Sequence, residues 1–400
     1  MRVSEQDLVY ADFSSRVFRA LGINEVTRPL PLHEPYIGKE CFDEVNSVLE
    51  SGFVSSVGSA VNDFERALVE LTGVRNAVTT SSGTSALQLA LKLVGVNHGD
   101  HVAVPNLSFI ATANAVSFLG AKPVFIDTLP AISGSAMSMS PVALEQLVGN
   151  NYLVGPHGPV CKRTNARLAA IVPVHVFGRL AELDEIRKFA GRWNIPVIED
   201  AAEALGSFDS AGKHPGNVDI AILSFNGNKV VTSGGGGALL TNSDQLASRA
   251  RYLSTTAKMP HNWRFSHDEI GWNFRLPAIN AALGLGQMRA ISKIQFLKQR
   301  LYERYQESFQ GSAYFEFLDN PRHQNPNNWL IAVKIKSSMS HLLEEVIAKA
   351  HSEGLLIRPF WDTLSTQLPY IHNLSTDMPN SNEARSTVIC LPSSPILAEN

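Results

Sequence analysis

Apolar positions near the start of the chain recur at helical spacing. Leu8, Phe13, Val17, Phe18 and Leu21 predict a helix that ends by about Glu25 and packs on the body of the protein or on a partner. Pro29, Pro31 and Pro35 then demand an extended stretch, because proline cannot continue a helix interior. The three-to-four spacing returns over 38–49 and 61–71, predicting two helices joined by the small, polar loop 51–58. From 76 to 242 the pattern becomes short apolar runs separated by helical stretches. Strands are predicted at 77–80, 102–104, 123–127, 169–174, 196–200, 220–223 and 237–241, with helices at 84–94, 110–119 and 183–193. Apolar strands separated by helices predict an α/β fold, a mostly parallel sheet with helices on both faces.

Beyond Met259 the pattern changes. Helices are predicted at 279–288 and 296–309, then a strand at 329–336, a helix at 340–353 and a strand at 355–359. This describes a smaller C-terminal α+β lobe. The chain therefore divides into an N-terminal extension (1–30), a large domain (31–258) and a small domain (259–400), and it carries no internal repeat.

Composition narrows the function classes. Hydrophobic residues at 44% and charged residues at 18% describe a soluble globular protein. A net charge of -3 gives no reason to expect nucleic acid or an anionic membrane as partner. Cys41, Cys161 and Cys390 are odd in number and lack C-x-x-C spacing, which argues for reduced thiols and against a structural zinc site; no metal is expected. The first 24 residues lack the apolar core of a signal peptide, and no apolar run approaches the ~20 residues of a membrane span. The expected location is the cytoplasm.

The chemistry gathers at strand ends. Lys229 lies in Ser224-Phe225-Asn226-Gly227-Asn228-Lys229, just before Gly234 to Gly237, and Asp200 closes Val197-Ile198-Glu199-Asp200. A lysine able to form a Schiff base, paired with a carboxylate able to hold a pyridinium nitrogen protonated, points to pyridoxal 5′-phosphate. Each part has a plainer alternative. Gly83 and Thr84, in a hydroxyl-rich turn opening a helix, suit a phosphate, but such turns more often only cap helices. Phe109 offers a flat face to a ring, although a phenylalanine at a strand end is usually core. His175 ends a strand and suits a cofactor contact or a structural role equally. Asp200 could instead cap a helix, and Lys229 alone could be a solvated surface residue. Glu203, one turn beyond Asp200, could reach the ring hydroxyl or a substrate amine, and Ser224 could donate to the phosphate. Asn273 and Arg275 suit phosphate or substrate contact, or capping of the helix beginning near Pro277. The strong signal is their order, with each at the end of a successive apolar strand.

From about Pro31 to Pro395 the chain resembles the DegT/DnrJ/StrS sugar-nucleotide aminotransferases, which have the fold-type-I architecture. The resemblance rests on Ser82-Gly83-Thr84-Ser85-Ala86, Ser108 to Ala113, Pro173-Val174-His175, Glu199-Asp200-Ala201-Ala202, Ser224 to Lys229 and Gly271 to Arg275. It implies that Lys229 carries the cofactor as a Schiff base and that Asp200 pairs with the pyridine nitrogen. It further implies that Phe109 stacks on the ring and that Gly83, Thr84 and Ser224 bind the phosphate. Asn273 would reach the cofactor of the neighbouring subunit in a homodimer. One branch of the family replaces the lysine with histidine and performs dehydration; Lys229 argues against that branch.

Leu32-His33-Glu34-Pro35, Gly52 to Gly58, Thr255 to Lys258, His267 to Gly271 and Arg358-Pro359-Phe360-Trp361 resemble one subgroup. Its members aminate C4 of UDP-linked 4-keto-6-deoxy-N-acetylglucosamine. The family usually has glutamine where this chain has Glu203, though the subgroup commonly has glutamate, and the 150–164 insert, also a subgroup trait, has no assigned role. The implied reaction moves the amino group of L-glutamate onto a nucleotide-linked keto sugar for cell-surface polysaccharide. The alternatives are a GDP- or dTDP-linked or eight-carbon keto sugar, a non-catalytic pyridoxal phosphate-binding regulator, and a lyase or dehydratase. A nucleotide-binding protein is disfavoured, since the phosphate-loop motif G-x-x-x-x-G-K-[ST] does not occur.

Overall fold

The computed structural model describes residues 4–155 and 158–399. Helix α1 (Glu5–Leu21) begins at Ser4, whose hydroxyl accepts from the Asp7 N–H, and ends at Gly22 with φ 66°. Its apolar face, Val9, Phe13 and Val17, is fully buried. Helices α2 (Lys39–Ser51) and α3 (Ser59–Thr72) follow the extended proline segment, in which Leu30 bridges Leu355.

The central part alternates strand and helix: β1 (Asn76–Thr80), α4 (Gly83–Leu93), β2 (His101–Pro105), α5 (Ala111–Ser117), β3 (Lys122–Ile126) and α6 (Pro141–Asn151). Next come the antiparallel hairpin β4 (Tyr152–Gly155) and β5 (Gly158–Cys161), then β6 (Leu168–Ile171), α7 (Leu183–Trp193), β7 (Ile198–Asp200) and β8 (Phe208–Asp209). The series closes with β9 (Ile220–Ser224), β10 (Gly237–Thr241) and α8 (Asp244–Ser254).

The strands β3-β2-β6 and β7-β9-β10-β1 form two hydrogen-bonded sets. They join through the parallel bridges Ile171–Val197 and Val174–Asp200. Only β10 runs antiparallel to its neighbours in this sheet. Alternate residues of β9 serve opposite faces, as the period of two requires. Ala221 and Leu223 share a core with Phe64 and Leu68 of α3, whereas Ile220 and Ile222 share one with Leu87 and Leu91 of α4. The sheet is therefore mostly parallel and covered on both faces.

The chain continues through α9 (Ala278–Arg289), α10 (Ile291–Phe309), β11 (Phe315–Phe317), β12 (Gln324–Asn325), β13 (Ile331–Ile335), α11 (Leu343–Ser352), β14 (Arg358–Pro359), α12 (Pro379–Thr387) and β15 (Val388–Leu391). A second sheet, β11-β13-β15-β14, is antiparallel throughout. Helix α1 belongs to this core: Val9, Phe13 and Val17 cluster with Leu301, Tyr305 and Val346. Helix α9 instead joins the first core, with Phe64 and Leu276.

The elements not anticipated from sequence include α6, α8, α12, β8, β11, β12, β15 and the hairpin β4–β5. Helix α8 buries mainly Ala247, Ala250 and Leu253, a face too small to stand out as periodic. Helix α12 buries two polar residues, Ser381 and Thr387, beside Ala384, so it shows no apolar stripe. The hairpin β4–β5 occupies the insert, where the Tyr152 hydroxyl meets His101 Nδ1 at 2.8 Å.

Candidate active site

A cavity of about 690 Å³ opens where β1, β2, β7 and β9 end and the following turns begin. This is the side of such a sheet on which strand-to-helix turns present free backbone groups. Its walls bring together Gly83, Thr84, Phe109, Asp200, Glu203, Ser224 and Lys229.

The first wall is an anion cup. Ser82 caps α4 by accepting the Ser85 N–H at 3.0 Å, so the first-turn N–H groups of Gly83 and Thr84 have no partner within the helix. A Cβ on Gly83 would stand 2.8 Å from the Ser224 Cβ. Glycine at 83 thus lets the helix N-terminus and the Ser224 hydroxyl approach one pocket.

The second wall holds a buried carboxylate. Asp200 Oδ2 accepts from the Thr112 hydroxyl at 2.7 Å, and Oδ1 from the Ala202 N–H at 3.2 Å. Both donors are neutral. Burial pushes the Asp200 carboxyl up, opposed by those two hydrogen bonds and by Lys229 and His175. Such a group is most stable as an anion when a cation shares its cavity.

The third wall carries the amine. Lys229 Nζ lies 3.5 Å from Glu203 Oε1 and 3.7 Å from the centre of the Trp329 ring. Burial lowers the Lys229 pKa against the pull of Glu203 and Asp200. Burial also raises Glu203 to about 7, although Lys229 and the Phe177 N–H at 2.8 Å favour its anion. Neutral amine is therefore more accessible at Lys229 than in water, as a nucleophile or base requires. Phe109, 58% exposed, forms part of the rim.

Three residues singled out in the sequence lie outside this cavity. His175 is buried and does not line the cavity. Its Nδ1 accepts from the Ala181 N–H at 2.9 Å, so Nε2 carries the proton and donates to Glu199 Oε2 at 3.1 Å. Glu199 also pairs with Arg187, and the network supports the end of β7 from beneath. Asn273 is exposed and bridges Thr255, away from the cavity of its own chain. Arg275 donates to the Thr79 carbonyl at 3.0 Å and pairs with Glu65 at 3.0 Å, a structural use of its charge.

The cavity also recruits residues with no assigned role in the sequence reading: Thr112, Trp329, Trp361 and His33. Thr112 had a weak signal, one helical turn beyond Ser108 in a turn already marked as a site. Trp329 had little beyond the polar run Asn327-Asn328 before it; its indole N–H donates to the Asn228 carbonyl at 2.7 Å. Among the described residues no group of three or more His, Cys, Asp or Glu side chains could hold a metal ion. Nor is any described helix long and apolar enough to cross a membrane.

Comparison with known proteins adds the following. The profile of the DegT/DnrJ/EryC1/StrS aminotransferase family matches residues 35–400. EpsN of Bacillus subtilis (strain 168), whose name places it among pyridoxal phosphate-dependent aminotransferases, is 32% identical over 89% of this chain and 88% of its own. GDP-perosamine synthase of Caulobacter vibrioides is 33% identical over 84% of this chain and 85% of its own. The crystal structure of a DegT DnrJ EryC1 StrS aminotransferase from Brucella abortus superposes with a TM-score of 0.79 at 26% identity. It covers 90% of this chain and 91% of that one.

Proposed function

Because the chain belongs to the DegT/DnrJ/EryC1/StrS aminotransferase family, we propose that it moves the amino group of L-glutamate onto a nucleotide-linked 4-keto-6-deoxy sugar. The observation that carries this reading is one cavity holding the buried Lys229 amine, the Asp200 carboxylate and the α4 anion cup.

These residues fit pyridoxal 5′-phosphate, the cofactor of the family. The opening that a Cβ on Gly83 would close suits its phosphate, and Asp200, hydrogen-bonded by the neutral donors Thr112 and Ala202, suits its ring nitrogen. When bound, the cofactor supplies an aldehyde that takes up an amine and a ring that accepts an electron pair from the adjacent carbon. Gly83, Thr84 and Ser224 would hold the phosphate, and Phe109 would face the ring. Asp200 would keep the ring nitrogen protonated, and Thr112 holds Asp200 in place. Lys229 would anchor the cofactor, and its amine, when free, would be placed to hold or move a proton at the substrate Cα. Glu203 accepts the Lys229 ammonium and steadies it between these tasks. Trp329, Leu330 and Trp361 shield the amine from water, and a hollow of about 360 Å³ beside the cavity shares Leu32, Leu330 and Trp361, extending the space toward Arg358.

The subgroup motifs support a UDP carrier and an N-acetylated sugar. A second reading, a GDP carrier, is supported by the 33% identity to GDP-perosamine synthase. Asn273 is proposed to serve the site of a second subunit, which fits its exposure and the exposed Trp263, Phe265 and Ile270 near it in sequence. The division at 31–258 and 259–400, a cytoplasmic location and a role in cell-surface polysaccharide complete the proposal.

The test is to incubate the holoenzyme with L-glutamate and UDP-, GDP- or dTDP-linked 4-keto-6-deoxy sugars, following amino sugar by mass spectrometry and 2-oxoglutarate by coupled assay. Amino sugar formed in step with 2-oxoglutarate, and lost in Lys229→Ala, is the expected result. Sugar consumed without glutamate would make the enzyme a lyase or dehydratase. Glutamate turned over with no keto sugar accepted would sink the sugar assignment.

A further inference from the structure

One polar side chain of the cavity wall has neither a catalytic task nor a hydrogen-bond partner among the described residues. His33 lines the cavity between Leu32 and the Trp329 side, is 7% exposed, and neither ring nitrogen has a hydrogen-bond partner among the described residues. Orphaned buried polar atoms are rare because each forfeits its bonds to water.

The backbone around it is clamped. The Leu32 carbonyl accepts from the Ser393 N–H at 2.7 Å, and the Glu34 N–H donates to Ser394 Oγ at 2.8 Å. The buried Lys298 side chain ties the same region together, its Nζ donating to the carbonyls of Trp329 and Ser393. So the backbone that carries the imidazole is fixed, while neither ring nitrogen is used by the fold among the described residues. Its charge state is set as well. Burial first, then Lys298 and Lys229, hold the ring well below the usual histidine range. A neutral imidazole offers one N–H donor and one acceptor nitrogen, the complement of a hydroxyl or ketone and a poor anchor for a carboxylate.

We propose that His33 is a specificity-determining residue whose ring hydrogen-bonds a neutral oxygen of the sugar acceptor and so orients the sugar beside Lys229. The inference rests on the sugar-aminotransferase reading and deepens it. A polar group left unpaired when the wrong ligand binds discriminates strongly, which is why an orphaned side chain makes an effective selector.

The test compares wild type with His33→Phe, which fills the space without hydrogen bonding, and His33→Gln, which restores a neutral donor and acceptor. Three quantities are read: the glutamate step alone in single turnover, kcat and KM for the accepted keto sugar, and thermal midpoint. A fourth readout needs no turnover: the ¹⁵N shifts of labelled His33 when the amino-sugar nucleotide product binds. The expected result for His33→Phe is a 10- to 100-fold fall in kcat/KM for the sugar, well beyond any change in the glutamate step. Its thermal midpoint should be equal or higher, because an unsatisfied buried group has been removed. His33→Gln should recover part of the loss, and the His33 ¹⁵N shifts should move with product.

Equal losses in both steps, or a lowered thermal midpoint with activity falling in proportion, would make His33 a structural residue. Unmoved ¹⁵N shifts on product binding would also overturn the proposal. A wild-type enzyme that processes glutamate but no keto sugar overturns the functional reading and this inference together. Wild-type sugar turnover matched by His33→Phe overturns this inference alone.

Discussion

Glu203 Oε1 stands 3.5 Å from Lys229 Nζ, yet burial works against the charge of both partners. Glu203 is raised from 4.5 to about 7. Between those values the folded chain holds a proton that the unfolded chain has already released. Its contribution to stability is therefore complete below 4.5 and is lost as pH rises through 7. Lys229 works on the alkaline side: its lowered pKa favours the folded state above the ordinary lysine value, and that benefit fades as pH falls through the folded value. Glu203→Gln keeps an oxygen for the Phe177 N–H and removes the acidic titration. Urea unfolding of the cofactor-free proteins at pH 5 and pH 8 should show the variant gaining on wild type by roughly 3 kcal/mol at the higher pH. A difference that does not change with pH would mean that Glu203 titrates as an ordinary carboxylate.

Thr112→Val tests the support beneath Asp200. The two side chains have similar shape, but valine cannot donate the 2.7 Å hydrogen bond to Oδ2. Hydrogen bonds to a charged group contribute about 1.5–3 kcal/mol, so kcat should fall roughly 10- to 100-fold. Asp200 should also become harder to ionise, moving the acidic limb of the pH–rate profile upward. Wild-type kcat in this variant would show that the Ala202 N–H and Lys229 are sufficient.

The anion cup depends on a close approach of backbones that glycine alone permits. A Cβ on Gly237 would lie 2.5 Å from the Gly83 nitrogen and from the Ser82 carbonyl carbon, atoms that cannot rotate aside. Gly237→Ala should push the start of α4 away from β10 and cost about 1–3 kcal/mol of stability. Titration with pyridoxal phosphate should show affinity at least ~10-fold weaker, because the N–H groups of the cup move with the helix. Gly227→Ala is the control, since nothing lies within 4 Å of its added Cβ. Equal behaviour of the two variants would show that the cup tolerates displacement.

Strand periodicity explains both what was legible in the sequence and what was not. Asp200, Ser224 and Lys229 were readable because each follows an apolar run, and strand ends in such sheets meet at one rim. The same periodicity misplaced His175. Beyond the end of β6, Val174 bridges Asp200 and reaches the cavity, while the next residue, His175, turns under it to meet Glu199. Glu199 and Asp200 divide in the same manner, one into the support network and one into the site. Thr112 and Trp329 escaped because their partners, Asp200 and Lys229, are far away in sequence. Only the folded sheet brings them together. His33 left a motif but no mechanism, since its lack of partners is a property of the folded core.

Trp329 performs two tasks that separate variants can distinguish. Its ring face lies 3.7 Å from Lys229 Nζ, while its N–H donates to the carbonyl of Asn228, the residue before that lysine. A cation over an aromatic face gains about 0.5–2 kcal/mol when desolvated. Trp329→Leu should withdraw that support and lower the Lys229 pKa further, by roughly 0.5–1 unit. Trp329→Phe keeps a face and loses the N–H, so the pKa should hold while the 228–229 backbone loosens and kcat falls several-fold. The pH dependence of Lys229 acylation in cofactor-free protein reads the first effect, and steady-state kinetics the second. If Leu and Phe shift the acylation midpoint equally, the ring face is not what stabilises the ammonium, and the hydrogen bond to Asn228 must carry both effects.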